Sequence, residues 1–217
     1  MGSVPVHLAD ELRESVGLRR AVETGTFHGD GARRLARLFP EVVTIELSDV
    51  LHEQAKVALA DVPHVRVLHG RSPERLAELA DGTPTLYWLD AHWSLGETAG
   101  ADAQCPLIDE VRAIGAGNST VDCILIDDAR LFMAPPPPPA DPAQWPALAE
   151  VMDALRETWP GHFIAVAHDL VIAVPEACKP AVERFAWHTL GHHWPLPQRV
   201  LRHALLRVQT RLDRRGF

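Results

Sequence analysis

Acidic side chains and a histidine follow two apolar runs of strand length in this chain. Asp90 and His92 follow the first run, and Asp127 and Asp128 follow the second. Three carboxylates at one place repel each other and raise each other's pKa unless a cation binds there. Oxygen donors with open coordination positions suit Mg²⁺, and by the same chemistry Mn²⁺ or Ca²⁺. An imidazole beside such a cation can accept the proton of a hydroxyl group that the cation acidifies.

A second interpretation of the same acids needs no metal. Carboxylates also cap helix N-termini and pair with arginines, and Arg112 and Arg130 are close in the sequence. His92 likewise has two open roles, because an imidazole can serve as a metal ligand or as a general base. The sequence alone leaves these alternatives open.

A glycine-containing loop lies nearer the start of the chain, after an apolar run that begins at Ala21. It covers residues 23–32, which read Glu-Thr-Gly-Thr-Phe-His-Gly-Asp-Gly-Ala. Glycines at a strand-to-helix turn let the backbone approach a ligand, and the following helix N-terminus offers unpaired N–H groups to an anion. Glu46 ends the next apolar run, at a spacing where an acid can bind both hydroxyls of a ribose. A structural glutamate that caps a strand end is the alternative.

The elements that must position these residues alternate along the chain. Apolar runs of strand length alternate with helical patterns from Ala21 onward, which is typical of βαβ units and a mostly parallel sheet. Asp169 interrupts the last run, which predicts an antiparallel hairpin at the sheet edge. We therefore predict an α/β fold with a single Rossmann-like, doubly wound sheet. The predicted strands are 21–23, 42–46, 65–68, 85–90, 121–127, 163–167 and 170–174, and the predicted helices are 31–38, 50–60, 73–80, 106–114 and 145–158.

The loop departs from a dinucleotide fingerprint, because Glu23 precedes the first glycine and the GxGxxG order is missing. It resembles the E-x-G-x-x-x-G loop of class I S-adenosylmethionine-dependent methyltransferases, and the resemblance extends from about Ala21 to Val174. It implies that S-adenosylmethionine is the cofactor and that Glu46 holds its ribose. It further implies that the methionine moiety is surrounded by Glu23, Gly25, Thr26 and Gly29, and that the adenine is bordered by Gly70, Arg71 and Ser72.

The three aspartates extend this resemblance to a particular group of methyltransferases. An aspartate at the end of strand four with a later acidic pair is similar to the metal-dependent small-molecule O-methyltransferases of the catechol and macrocin types. The resemblance implies Asp90, Asp127 and Asp128 as ligands of Mg²⁺, with Asp90 counted among the catalytic residues. In the macrocin-type enzymes, which methylate sugars, a base follows the first aspartate. In this chain His92 is the residue available at that position.

Composition limits the classes of protein. The chain has 217 residues, 47% of them hydrophobic, and a net charge of -8, which predicts a globular protein and disfavours nucleic acid as a partner. Its three cysteines have no CxxC spacing, which argues against a disulfide framework and favours a reducing cytoplasm. No uncharged apolar stretch reaches the ~18 residues of a membrane span, so we expect no membrane association.

We interpret residues 1–217 as one methyltransferase domain with a basic C-terminal helix over about 199–215, where six arginines accompany one aspartate. A run of prolines, Pro135 to Pro139, predicts a stiff surface loop after strand five.

The predicted function is therefore metal-assisted transfer of a methyl group to a hydroxyl of a small molecule, with a sugar or polyhydroxylated compound as the first expectation. A metal-independent methyltransferase of a peptide, protein or amine is the alternative enzyme. A non-catalytic protein that binds the cofactor or assembles with a partner is the alternative from another class. Assembly into a homo-oligomer stays open.

Overall fold

The computed structural model describes residues 4–94 and 99–193, with side chains described up to Trp187. It divides into two compact units, residues 1–182 and 183–217. The first unit contains the entire sheet and every candidate site residue. The C-terminal helix predicted over about 199–215 lies outside the described residues.

The sheet is mostly parallel. Its strands are β1 Arg20–Thr24, β2 Glu41–Glu46, β3 Val65–His69, β4 Thr85–Leu89, β5 Cys123–Ile126, β6 His162–Ala167 and β7 Leu170–Pro175. Their order across the sheet is β3-β2-β1-β4-β5-β7-β6. The five strands from β3 to β5 run parallel to one another, whereas β7 pairs antiparallel with both β5 and β6. The doubly wound sheet and its antiparallel hairpin are confirmed.

The strand order reverses direction between β1 and β4, where the chain crosses from one half of the sheet to the other. In open α/β sheets, ligands bind outside the carboxyl ends of the strands at such a point. The predicted glycine loop follows β1 and the predicted Asp90 follows β4. The topology therefore brings the two candidate sites together.

Helices connect the strands. Their bounds are α1 Val6–Val16, α2 Asp30–Leu35, α3 Asp49–Ala58, α4 Ser72–Leu79, α5 Leu107–Gly115, α6 Arg130–Met133, α7 Leu148–Thr158 and α8 Lys179–His193, with 3₁₀ turns at Pro142–Gln144 and Glu176–Cys178. The sequence analysis did not assign α1, α6 or α8. Gly17 ends α1 in a left-handed conformation, and its backbone N–H donates to the carbonyl of Arg13.

Helix α7 begins three residues later than its pattern predicted. Trp145 precedes a proline, and that position disfavours helical backbone angles. Trp145 instead packs in the core, and its indole N–H donates to Gln104 Oε1 over 3.1 Å. Burial of the ring there stabilises the loop that lies between β4 and α5.

Both faces of the central strands are covered. All five residues of β1 and of β4 are buried, as expected for parallel strands between two layers of helices. No helix within the described ranges combines the length and the apolar character that a membrane crossing requires.

Cys105, Cys123 and Cys178 are free thiols. The thiols of Cys123 and Cys178 come from different elements of the chain and lie close enough to influence each other's pKa, and Cys123 Sγ donates to the Val121 carbonyl over 3.8 Å. We expect a thiol titration of the denatured, unreduced protein to count three groups. A count of one would mean that this pair is oxidised in the native protein, against the expectation from the sequence.

Candidate active site

A cavity of about 440 Å³ opens at the carboxyl ends of the central strands. That volume is within the range of small-molecule sites. Most of the residues that the sequence nominated line it: Glu23, Gly25, Thr26, Glu46, Gly70, Arg71, Ser72, Asp90, His92 and Asp128. Gly29 and Asp127 are outside this lining.

The glycine loop lies directly against the end of β4. Gly25 has a φ of 80°, in the left-handed region, and a Cβ at this position would overlap the backbone carbonyl of Asp90. Its N–H donates to the carbonyl of Ile45 over 3.0 Å. Only glycine meets both demands without strain, so the residue type at position 25 fixes the approach of the loop to Asp90.

Glu23 is buried beneath the loop. Its Oε2 accepts a hydrogen bond of 2.7 Å from the Thr44 hydroxyl, and its carboxyl also accepts from the backbone of Ala32 at the start of α2. A Cβ on Gly31 would overlap Glu23 Oε1. Burial raises the pKa of Glu23 to about 8. The carboxyl group therefore supports the loop and the helix N-terminus from below while it lines the cavity.

Glu46 is 6% exposed at the end of β2. Its Oε2 accepts from the backbone N–H of Phe27, and its Oε1 accepts from that of Ser48, both over 2.9 Å. Each carboxylate oxygen can accept a second hydrogen bond, so both remain able to bind ligand hydroxyls. The first of these bonds also ties the glycine loop to β2.

The third predicted segment follows β3. The N–H of Gly70 donates to the Glu46 carbonyl over 2.9 Å, and Ser72 begins α4. Apolar side chains of Leu47 and Leu51 line the same part of the cavity. Gly29 is the left-handed N-cap of α2, and a Cβ at this position would lie 3.0 Å from the Leu59 side chain.

Asp90, His92 and Asp128 form a contiguous group at the other part of the cavity. His92 Nε2 is 3.0 Å from Asp128 Oδ2, and its Nδ1 is 3.4 Å from Asp90 Oδ1. The imidazole is 10% exposed, and its ring centroid is 5.7 Å from that of Trp145. Two carboxylates and an aromatic ring thus hold the histidine in one orientation.

Electrostatics within this group follow from burial and contact. Burial raises the pKa of Asp90 to about 7, although the nearby His92 lowers it. The hydrogen bond from His92 holds the pKa of Asp128 below its usual range. Burial lowers the pKa of His92, but its bond to Asp128 and the charge of Asp90 outweigh burial, so the net shift is upward. The two carboxylates therefore favour the protonated form of the imidazole.

Asp127 lies behind this group. Its Oδ1 accepts from the N–H of Asp128 over 2.9 Å, while its buried Oδ2 accepts no hydrogen bond from the residues that the structure describes. Burial raises its pKa. Asp127 lines a second, much smaller cavity of about 10 Å³, shared with His92 and the buried Glu110.

The acids supply the donor chemistry of a magnesium site, and the unpartnered Asp127 oxygen is an available ligand atom. In this arrangement, however, His92 bridges two of the three acids, and Arg130 Nη1 contacts Asp128 Oδ1 at 2.7 Å. No cluster of three or more His, Cys, Asp or Glu side chains with metal-binding geometry occurs among the described residues. Protein cations and a divalent metal are thus alternative ways to compensate the same acidic charge.

Several lining residues were not predicted. His28 and Asp30, within the glycine loop, and Arg34, on the following helix, place charged and polar groups in the cavity wall. The spacing of Asp30 and Arg34, four residues apart at the start of α2, was an available signal that they share a helix face. Glu110 had no such signal, since its burial beside Thr24 and Ser72 depends on how α5 packs. None of the five prolines from Pro135 to Pro139 lines the cavity.

Solved structures with this architecture include O-methyltransferases. A protein from Staphylococcus aureus assigned as a caffeoyl-CoA O-methyltransferase is 17% identical, with a TM-score of 0.58 over 81% of this chain and 84% of that one. A Bacillus cereus O-methyltransferase in complex with S-adenosylhomocysteine is 16% identical, with a TM-score of 0.57 over 81% and 83%. TomG of Streptomyces achromogenes, an O-methyltransferase of tomaymycin synthesis in complex with S-adenosylmethionine, is 22% identical, with a TM-score of 0.52 over 78% and 77%.

These likenesses identify the fold as the Rossmann-like fold of class I methyltransferases. No protein-family model and no curated protein matches the chain.

Proposed function

We propose that this protein is an S-adenosylmethionine-dependent O-methyltransferase that acts on a hydroxyl group of a small molecule. The observation that carries the proposal is the position of His92. Its imidazole is held between Asp90 and Asp128 in the same cavity that the glycine loop and Glu46 line. A base beside a cofactor site is what methylation of a hydroxyl requires.

In the proposed binding mode, Glu46 would accept hydrogen bonds from the ribose hydroxyls, and Gly25 and Thr26 would hold the methionine moiety. Gly70, Arg71 and Ser72 would border the adenine. The support for this arrangement is that all of these residues line one cavity and that the loop is pressed against Asp90.

The reaction needs a deprotonated oxygen. His92 would accept the proton of the acceptor hydroxyl, and bound S-adenosylmethionine would supply the methyl group that this oxygen takes up. The products are a methyl ether, S-adenosylhomocysteine and a proton held by His92. Asp128 and Asp90 stabilise the imidazolium that forms, because both contact the ring. The site contributes further by aligning the nucleophile, methyl carbon and sulfur.

The proposed reaction is assisted by a divalent metal ion. Asp90, Asp127 and Asp128 would hold Mg²⁺, or Mn²⁺ or Ca²⁺ in its place. When bound, the cation would acidify a coordinated hydroxyl and orient it. The unpartnered buried oxygen of Asp127 supports this assignment.

A second candidate is a metal-independent methyltransferase. The contacts of His92 and Arg130 with Asp128 favour it, because these side chains can neutralise the acid without a metal. Its acceptor could be an amine, peptide or protein as well as a hydroxyl. Sensitivity to a chelator distinguishes the two candidates.

The experiment that tests the proposal uses S-adenosylmethionine labelled in the methyl group. Purified protein is incubated with panels of catechols, sugars, glycosides, amines and peptides, each with Mg²⁺ or with EDTA. We expect label in a hydroxyl compound and its loss in EDTA. Transfer to amines or peptides that is unaffected by EDTA would support the second candidate, and lack of transfer to any panel despite cofactor binding would support a non-catalytic protein.

Replacement of Glu46 by alanine tests the cofactor assignment. We expect S-adenosylhomocysteine to bind about 1.5–3 kcal/mol more weakly, since hydrogen bonds to a charged group are lost. Isothermal titration calorimetry measures the difference. Glu41→Ala on the same strand is the matched control, because Glu41 is partly exposed, pairs with Arg66 and lies at the opposite end of β2. Wild-type affinity of the Glu46 variant would contradict the ribose assignment.

A further inference from the structure

The turn between β6 and β7 contacts the segment that carries Asp128. The carbonyl of Asp169 accepts from the N–H of Ala129, and its Oδ1 accepts from the N–H of Arg130, both over 2.8 Å. Its Oδ2 forms an ion pair with Arg130 Nη1. One residue of the hairpin therefore binds two backbone N–H groups and the guanidinium of the segment after β5.

The hairpin geometry explains this position. His168 and Asp169 have φ values of 50° and 67°, as required of both central residues of a type I′ turn. Pairing of β7 with β5 places Val171 opposite Ile126. The turn consequently lies beside the carboxyl end of β5, where Asp127 and Asp128 follow.

The contact continues from Arg130 to His92. Arg130 Nη1 contacts Asp128 Oδ1 at 2.7 Å, and Asp128 Oδ2 contacts His92 Nε2 at 3.0 Å. The two oxygens of Asp128 thus have different partners. Because Arg130 engages one oxygen, the carboxylate plane is fixed with the other oxygen toward the imidazole.

Asp128 also has an unfavourable backbone conformation. Its φ is 58°, in the left-handed region that non-glycine residues rarely occupy. Such a conformation is strained and persists only where the surroundings determine it. The bonds from Ala129 and Arg130 to Asp169 are part of those surroundings.

From these contacts we propose that Asp169 is a positioning residue for His92, acting through Arg130 and Asp128. This inference rests on the proposed function in that His92 is the base of the reaction. Asp169 does not itself line the cavity. It restrains the segment after β5 so that Asp128 meets the imidazole.

The test is a spectroscopic measurement that needs no substrate. Ring ¹⁵N and ¹H signals of His92 are recorded by NMR in EDTA for wild type, Asp169→Ala and Asp169→Asn, with His92→Gln to assign them. We expect the alanine variant to shift the His92 ring signals. The asparagine variant keeps an acceptor for the Arg130 N–H but loses the ion pair, so we expect a smaller shift in the same direction. Asp153→Ala is the control, because it removes an exposed aspartate that also pairs with an arginine, Arg156.

His92 ring signals that match wild type in a folded Asp169 variant would overturn the proposal, and so would shifts no larger than those of the Asp153 control. If Asp169→Ala does not fold, the asparagine variant decides. Calorimetry with S-adenosylhomocysteine is run on the same samples, and we expect affinities within about twofold of wild type. If the wild-type protein does not bind S-adenosylhomocysteine, the proposed function is refuted. The NMR shifts would still show whether Asp169 affects His92.

Discussion

Replacing His92 by alanine is expected to lower the rate of methyl transfer by about 10²–10⁴, the loss typical of a removed general base. The imidazole is the basic group held in the cavity between two acids, and its pKa is raised by the hydrogen bond to Asp128. Affinity for S-adenosylhomocysteine should change little, because the proposed cofactor residues lie on β1 and β2 and in the segments that follow β1 and β3. Single-turnover kinetics at saturating cofactor measure the chemical step.

His64→Ala is the control for this prediction. His64 is exposed, and its ring contacts the Ala36 carbonyl, remote from the catalytic group. We expect its rate to equal that of wild type. An unchanged rate in the His92 variant would mean that water or another residue accepts the proton.

Replacing Asp127 by alanine is expected to abolish metal-dependent turnover while cofactor binding stays nearly intact. The reason is that Asp127 would supply a charged ligand atom, Oδ2, which is buried and accepts no hydrogen bond within the described part of the chain. Metal-stripped enzyme is assayed with increasing Mg²⁺, in parallel with calorimetry against S-adenosylhomocysteine. Asp109→Ala, which removes an exposed acid on α5, should leave both measurements unchanged.

Full turnover of metal-stripped wild type in excess EDTA would refute the metal assignment. His92 and Arg130 would then be the groups that compensate Asp128 during the reaction. The base assignment would survive that outcome, since it depends on the position of the imidazole rather than on a metal.

The sheet was predictable because its strands carry local signals. Val42 to Glu46 and Thr85 to Leu89 are apolar runs of strand length bounded by polar residues, and both became strands. Asp169 likewise marked the hairpin within one long apolar run. The placement of β7 between β5 and β6 could not be read locally, because strand order depends on pairing between distant segments.

Helix α1 and the start of α7 show two other limits. The apolar face of α1 consists of Leu8, Ala9 and Leu12, a short pattern within a mostly polar segment. Trp145 continues the apolar pattern of α7, but the following proline excludes it from the helix. The first case shows that tertiary packing can stabilise a weak pattern, and the second that backbone sterics can override a strong one.

Within the candidate site, the sequence identified residues that strand ends deliver directly. Asp90 and Asp128 converge because they follow neighbouring parallel strands, and this was foreseeable from topology. The contact of His92 with both acids was not, since it depends on side-chain orientation. Asp169 was also missed as a partner of this site, because its approach depends on the register of β7 against β5.

The proposed function requires that one cavity binds S-adenosylmethionine beside the group formed by Asp90, His92 and Asp128. Calorimetric titration of S-adenosylhomocysteine into the wild-type protein, followed by the Glu46→Ala and Glu41→Ala variants, tests it most directly. We expect one molecule to bind per chain, with an affinity that the Glu46 change lowers about 10- to 150-fold and the Glu41 change leaves unaltered. The proposed cofactor site would be contradicted if S-adenosylhomocysteine gave no binding heat with the wild-type protein and did not compete with S-adenosylmethionine for it.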